Sequence, residues 1–121
     1  MPIYRKVYLP KETCMKNQIK IGKIEQSRGV IIKYFSQIIV TPPADFNIIH
    51  FSVSPGCTTE NDRHKVRECW FILRGKGLMT LNDTDCSSVE EGELYFFDSM
   101  VSHQVFNISY EASLEILSIW W

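Results

Sequence analysis

The apolar positions of the chain fall in short runs dense in β-branched and aromatic residues, separated by Gly, Pro, Asn, Asp and Ser. That pattern predicts strands, because branched and aromatic side chains suit a pleated surface and the intervening residues suit turns. Strands are expected at about Ile3–Leu9, Val30–Val40, Phe46–Ser54, Arg67–Leu73, Leu78–Asn82, Glu93–Phe97, His103–Asn107 and Leu114–Trp121. Residues from the first strand through Lys23 read as irregular, and Pro42-Pro43 ends the second strand. Turns are expected at Pro55-Gly56, at Gly75-Lys76-Gly77 and from Asn82 through Ser88. Helix is confined to scraps. Strands of this length with turns at roughly ten-residue intervals indicate an all-β sandwich or closed barrel.

The 121 residues amount to one domain, and 45% hydrophobic content is enough to build a core. Thirteen basic side chains against fourteen acidic ones leave a formal net charge of −1. Such a balance supplies no field for a phosphate backbone or an anionic lipid surface, so neither nucleic acid nor membrane is an expected partner. No run approaches the roughly 18 apolar residues of a membrane span, and the first residues lack the apolar stretch of a secretory signal. The expected location is the cytoplasm. Cys14, Cys57, Cys69 and Cys86 are irregularly spaced with no C-x-x-C pair, which favours free thiols.

The informative segment is Gly56–Gly75, GCTTENDRHKVRECWFILRG. In an unbroken extended strand Asp62, His64 and Glu68 would share one face, with Arg63, Lys65 and Arg67 on the other. Two carboxylates and an imidazole on one face are ordinary ligand types for a divalent metal. A further imidazole, His103, shares a face with Val105 and Asn107 after the apolar stretch Leu94–Phe97. Desolvation there would hold it neutral near pH 7. Trp70 continues the parity of Glu68 toward the interior, and Glu60 continues that of Asp62 toward the rim. His50, within FNIIHFSVS, and Asn107 are further pocket candidates.

These residues resemble the two motifs of the RmlC-like cupin superfamily. The first, G-x5-H-x-H-x3,4-E-x6-G, is matched in spacing by Gly56, Asp62, His64, Glu68 and Gly75; the second, G-x5-P-x-G-x2-H-x3-N, by Gly92, Asp98, Met100, His103 and Asn107. The chain departs at three positions, with Asp62 for the first histidine and Asp98 and Met100 for the proline and glycine of the second motif. The resemblance implies a single cupin domain over 1–121, a double-stranded β-helix or jelly-roll barrel, with 1–29 as an N-terminal strand and irregular extension. It also implies that His64, Glu68 and His103 bind a divalent metal such as Fe, Mn or Zn. Asp62 stands as a fourth ligand, an acceptor beside the metal, or a general base.

The resemblance further implies a metal-dependent enzyme acting on a polar small molecule. Its chemistry would be of isomerase, lyase or cyclase type if Asp62 supplies a base, and of dioxygenase type if it does not, with Asp62 and Glu68 as the catalytic carboxylates. The alternative is a non-catalytic cupin that binds a metabolite or sugar. Cupins are often homodimers, and the Val30–Val40 strand with Trp120 or Trp121 is the expected interface.

Overall fold

A computed structural model describes residues 21–35 and 46–121. The strand expected over Ile3–Leu9, the part of the Val30–Val40 strand beyond Phe35, and Cys14 lie outside the described residues. Nine strands are present, β1 (Ile21–Ser27), β2 (Val30–Phe35), β3 (Asn47–Val53), β4 (Glu68–Arg74), β5 (Lys76–Leu81), β6 (Asp85–Glu90), β7 (Leu94–Phe97), β8 (His103–Asn107) and β9 (Leu114–Trp120). They form a six-stranded sheet in the order β1-β2-β3-β9-β4-β7 and a three-stranded sheet in the order β6-β5-β8. Every pairing within the sheets is antiparallel. No helix among the described residues is long and apolar enough to cross a membrane.

Alternation decides which residues meet between the sheets. Phe51 and Val53 of β3, Trp70 and Ile72 of β4, and Leu114 and Ile116 of β9 point inward from the larger sheet. Met79, Val89 and Val105 close the core from the smaller one, and all nine are essentially buried. The reverse face of the larger sheet stays partly apolar, with Phe71, Leu94 and Phe96 exposed. On that face His50 pairs with Glu115 across β3 and β9, Nε2 to Oε2 2.9 Å, and Ser52 donates to the same carboxylate.

Two strands depart from the expectation. β1 covers residues expected to be irregular, and β6 covers most of the stretch expected to be a turn; the turn itself is shorter, with Asn82 and Asp83 at φ 48° and 64°. Both are edge strands of their sheets. An edge strand with one face in water carries few apolar residues, so β1 is exposed throughout and β6 buries only Val89. Cys57, Cys69 and Cys86 are free thiols, as expected.

Asn107 is wholly buried. Its Nδ2 donates to the Val53 and Ala112 carbonyls, each at 2.9 Å, and its Oδ1 accepts from Ser109 N at 2.9 Å. One side chain thereby ties β8 to the end of β3 and to the loop entering β9. Asn107→Ala strands two carbonyls and an amide, and it is expected to cost roughly 2–4 kcal/mol. Thermal unfolding should record a Tm lower by on the order of 10 °C.

Candidate metal centre

The site is assembled by backbone pairing across a loop. Residues 57–62 run antiparallel to β8, with Asn107 N to Cys57 O at 2.9 Å, Thr59 N to Val105 O at 2.9 Å, and paired bonds between Asp62 and His103 at 3.0 and 2.9 Å. The strand then breaks. Residues 63–67 are not extended, so the shared face expected for Asp62, His64 and Glu68 is replaced by a loop that turns before β4 begins at Glu68. That loop is held at both ends. Met100 N donates to His64 O at 2.6 Å, Arg63 Nε donates to Met100 O at 3.1 Å, and Arg67 and Trp121 exchange backbone bonds at 3.1 and 3.0 Å.

Met100 stands where the second motif has glycine, and its φ of 67° is a left-handed backbone that glycine adopts without strain. The departure is therefore in the side chain only; the loop keeps the glycine geometry. Asp98, in the proline position, accepts from Ser99 N at 2.8 Å and from Arg67 Nε at 3.2 Å, fixing the same loop by hydrogen bonds instead of a ring.

Within this frame His64, Glu68 and His103 bring one ligand atom each to within 4.8 Å of one another. Glu68 belongs to the larger sheet and His103 to the smaller. Glu68 is buried, and its two oxygens are divided in use: Oε2 accepts from Trp70 Nε1 and from Ser118 Oγ, both at 2.6 Å, leaving Oε1 to face His103 Nε2 at 2.9 Å. His103 Nδ1 lies 3.0 Å from the Val101 carbonyl, which obliges that nitrogen to carry a proton and leaves Nε2 as the ligating atom. Phe97 stacks on the His103 ring at 4.4 Å and 8°, and Trp70 meets it edge-on at 5.2 Å. The ring therefore has little freedom to turn.

Electrostatics correct one expectation. Burial by itself would lower the His103 pKa, but the hydrogen bond and charge of Glu68, with the Val101 carbonyl, raise it above the ordinary 6.5. Burial likewise would raise Glu68, yet the bonds from His103, Ser118 and Trp70 and the His103 charge bring it below 4.5. The expectation of an imidazole held neutral by desolvation is thus corrected in direction: without a metal, the carboxylate of Glu68 favours the protonated ring more than burial disfavours it. A proton shared between Nε2 and Oε1 and a metal bound there compete for the same two atoms, and the donor set of two imidazoles and one carboxylate suits a divalent ion.

The remaining site candidates separate into two groups. A cavity of about 410 Å³ reaches Glu68 and His103, and Trp70, Glu60 and Asp62 line it as well. Asp62 stands outside the three-residue cluster, with its Oδ2 4.0 Å from His64 Nε2, and burial raises its carboxyl pKa above the ordinary value. His50 and Asn107 do not line the cavity. His50 is on the reverse face of the sheet, where its parity partner is Ser52, and Asn107 serves the backbone. Two supports were not anticipated from the sequence. Ser118 is the lone hydroxyl in the inward stripe Leu114, Ile116, Ser118, a signal that was legible; the Val101 carbonyl carries none.

A Cupin domain family model matches residues 49–120. The fold resembles an RmlC-like cupin from Shewanella frigidimarina NCIMB 400, TM-score 0.66 at 10% identity over 85% of this chain and 92% of that one. It also resembles an oxalate decarboxylase from Lactobacillus farciminis in complex with formate, TM-score 0.73 at 17% identity over 88% of this chain, which spans only 33% of that one. KdgF from a Halomonas species aligns with TM-score 0.64 at 11% identity over 81% and 85%. At such identities the likeness is one of fold. With the family match covering both motifs and strands β4 to β9, the chain belongs to the Cupin domain family.

Proposed function

We propose that the protein is a metal-dependent enzyme acting on a polar small molecule, with a divalent ion held by His64, Glu68 and His103. The observation that carries this reading is the convergence of three donor atoms within 4.8 Å, two of which, on Glu68 and His103, belong to residues that line a cavity and are turned toward one another by the bonds their other atoms make. Bound there, an ion of the Fe, Mn or Zn type supplies Lewis-acid polarisation of a substrate oxygen or, if redox-active, electrons for O2 chemistry.

Asp62 is proposed as the general base. It lines the cavity beside the ligand cluster without joining it, and partial desolvation there raises its pKa above the ordinary value, which makes the carboxylate a somewhat stronger proton acceptor. This favours isomerase, lyase or cyclase chemistry, in which a proton is taken from a substrate carbon or hydroxyl, over dioxygenase chemistry. Phe97 and Trp70 exclude water from the His103 side, which strengthens any charge interaction made there.

Elemental analysis by mass spectrometry of untagged protein, purified without chelators, should find near-stoichiometric metal. His103→Ala should lose it, with affinity down by at least about a hundredfold, while Asp62→Asn should keep it. Full metal content in His103→Ala would overturn the assignment. The metal-free protein makes a separate prediction. The raised His103 pKa contributes stability below pH 6.5 that is lost as pH rises through its folded value. The lowered Glu68 pKa contributes stability above pH 4.5 that is lost as pH falls through its folded value. The Tm gap between metal-free parent and Glu68→Gln should therefore be widest between pH 4.5 and 6.5 and narrow on either side.

A further inference from the structure

The turn joining β1 to β2 has two residues, Arg28 and Gly29, between the paired Ser27 and Val30. Both have positive φ, 49° and 79°, the signature of a type I′ turn, for which Asn-Gly is the favoured pair. Arginine at the first position has a Cβ that this conformation crowds. The turn is also pinned. Gly29 O accepts from Ser54 N at 2.8 Å, and a Cβ on Gly29 would collide with Cys57 Sγ, so the tip is packed against the loop that leads to the metal centre.

Arg28 lines the cavity, and among the described residues its guanidinium makes no ion pair or side-chain hydrogen bond. Other acids of the lining are engaged elsewhere. Glu25 pairs with Lys23 at 2.6 Å and accepts from Tyr34 at 3.0 Å, while Glu68 is held as described above. Asp62 lies 4.0 Å from His64, and Glu60, on the segment paired with β8, makes no side-chain ion pair or hydrogen bond among the described residues. Ile32, Ile49, Phe51 and Trp70 supply apolar lining to the same cavity.

We infer that Arg28 is a specificity residue that receives the carboxylate of a hydroxylated monocarboxylic acid, with Glu60 accepting from its hydroxyls and the apolar lining packing its carbon chain. A guanidinium offers a carboxylate two parallel N–H donors, a charge-assisted pairing that a neutral polyol cannot use. A strained arginine at a turn that would be relaxed by asparagine is accounted for by that binding role. The inference rests on the metal-site reading for the position of the ligand's other end.

The test compares gluconate with sorbitol, which differ in a carboxylate against a hydroxymethyl group, on the Mn2+-loaded protein by calorimetric titration. The parent should prefer gluconate by about tenfold or more. Arg28→Asn should keep its manganese, match or exceed the parent's Tm because it relaxes the turn, and bind the two compounds within about twofold of each other. Arg28→Lys should recover part of the preference. Equal binding in the parent, a gluconate preference that survives in Arg28→Asn, or no gluconate binding at about 10 mM would overturn the inference. Manganese content, measured on the same samples, separates that result from failure of the metal site: a parent that holds no manganese overturns the metal reading and the ligand position built on it.

Discussion

A carboxylate buried beneath two sheets has to be satisfied on every side, and Glu68 sets the terms for much of what surrounds it. Removing such a group from water is unfavourable unless hydrogen bonds and an opposite charge replace the solvent. Trp70, Ser118 and His103 do so from three directions, and each comes from a different place in the chain, β4, β9 and β8. The inward stripe of β9 accordingly gives up an apolar position to a serine, and β4 places a tryptophan whose N–H has a partner two residues back. The core and the site are one construction, since Trp70 packs on Phe51 and Phe97 while its N–H holds the carboxylate.

How legible this was in the sequence depends on what kind of signal each part leaves. Glu68, Trp70 and Ile72 were readable from strand parity because β4 is extended and half of it faces the core. The same parity fails between Asp62 and Glu68, where a loop fastened by Met100 and Trp121 sets the direction of His64. Motif spacing still located His64, because spacing records the length of the path between ligands and not its shape. Polar edge strands were the other loss. β1 reads as irregular by composition, yet it carries Arg28 at its turn and contributes Glu25 and Ser27 to the cavity, so the part of the pocket that lies outside the motifs in sequence was also the part hardest to see.

The departures from the family motifs resolve along the same physical lines. Met100 in a left-handed conformation and Asp98 in hydrogen bonds to Ser99 and Arg67 preserve the loop shape with different side chains. Asp62 keeps its backbone place opposite His103 while bringing a carboxylate to the cavity. Backbone pairing has tolerated these changes because it depends on main-chain amides and carbonyls, whereas the charge of the cavity has changed with the side chains.

Glu68 and His103 stand on opposite sheets, and their bond is a cross-sheet rivet whose identity is exchangeable. A proton closes it in one state, and a metal would close it in another. Whatever fills that gap binds the folded chain more tightly than the unfolded one, so its free concentration enters the folding equilibrium as surely as temperature does. Melting curves of this protein are then also titration curves, and a measured stability has meaning only together with the cation activity at which it was recorded.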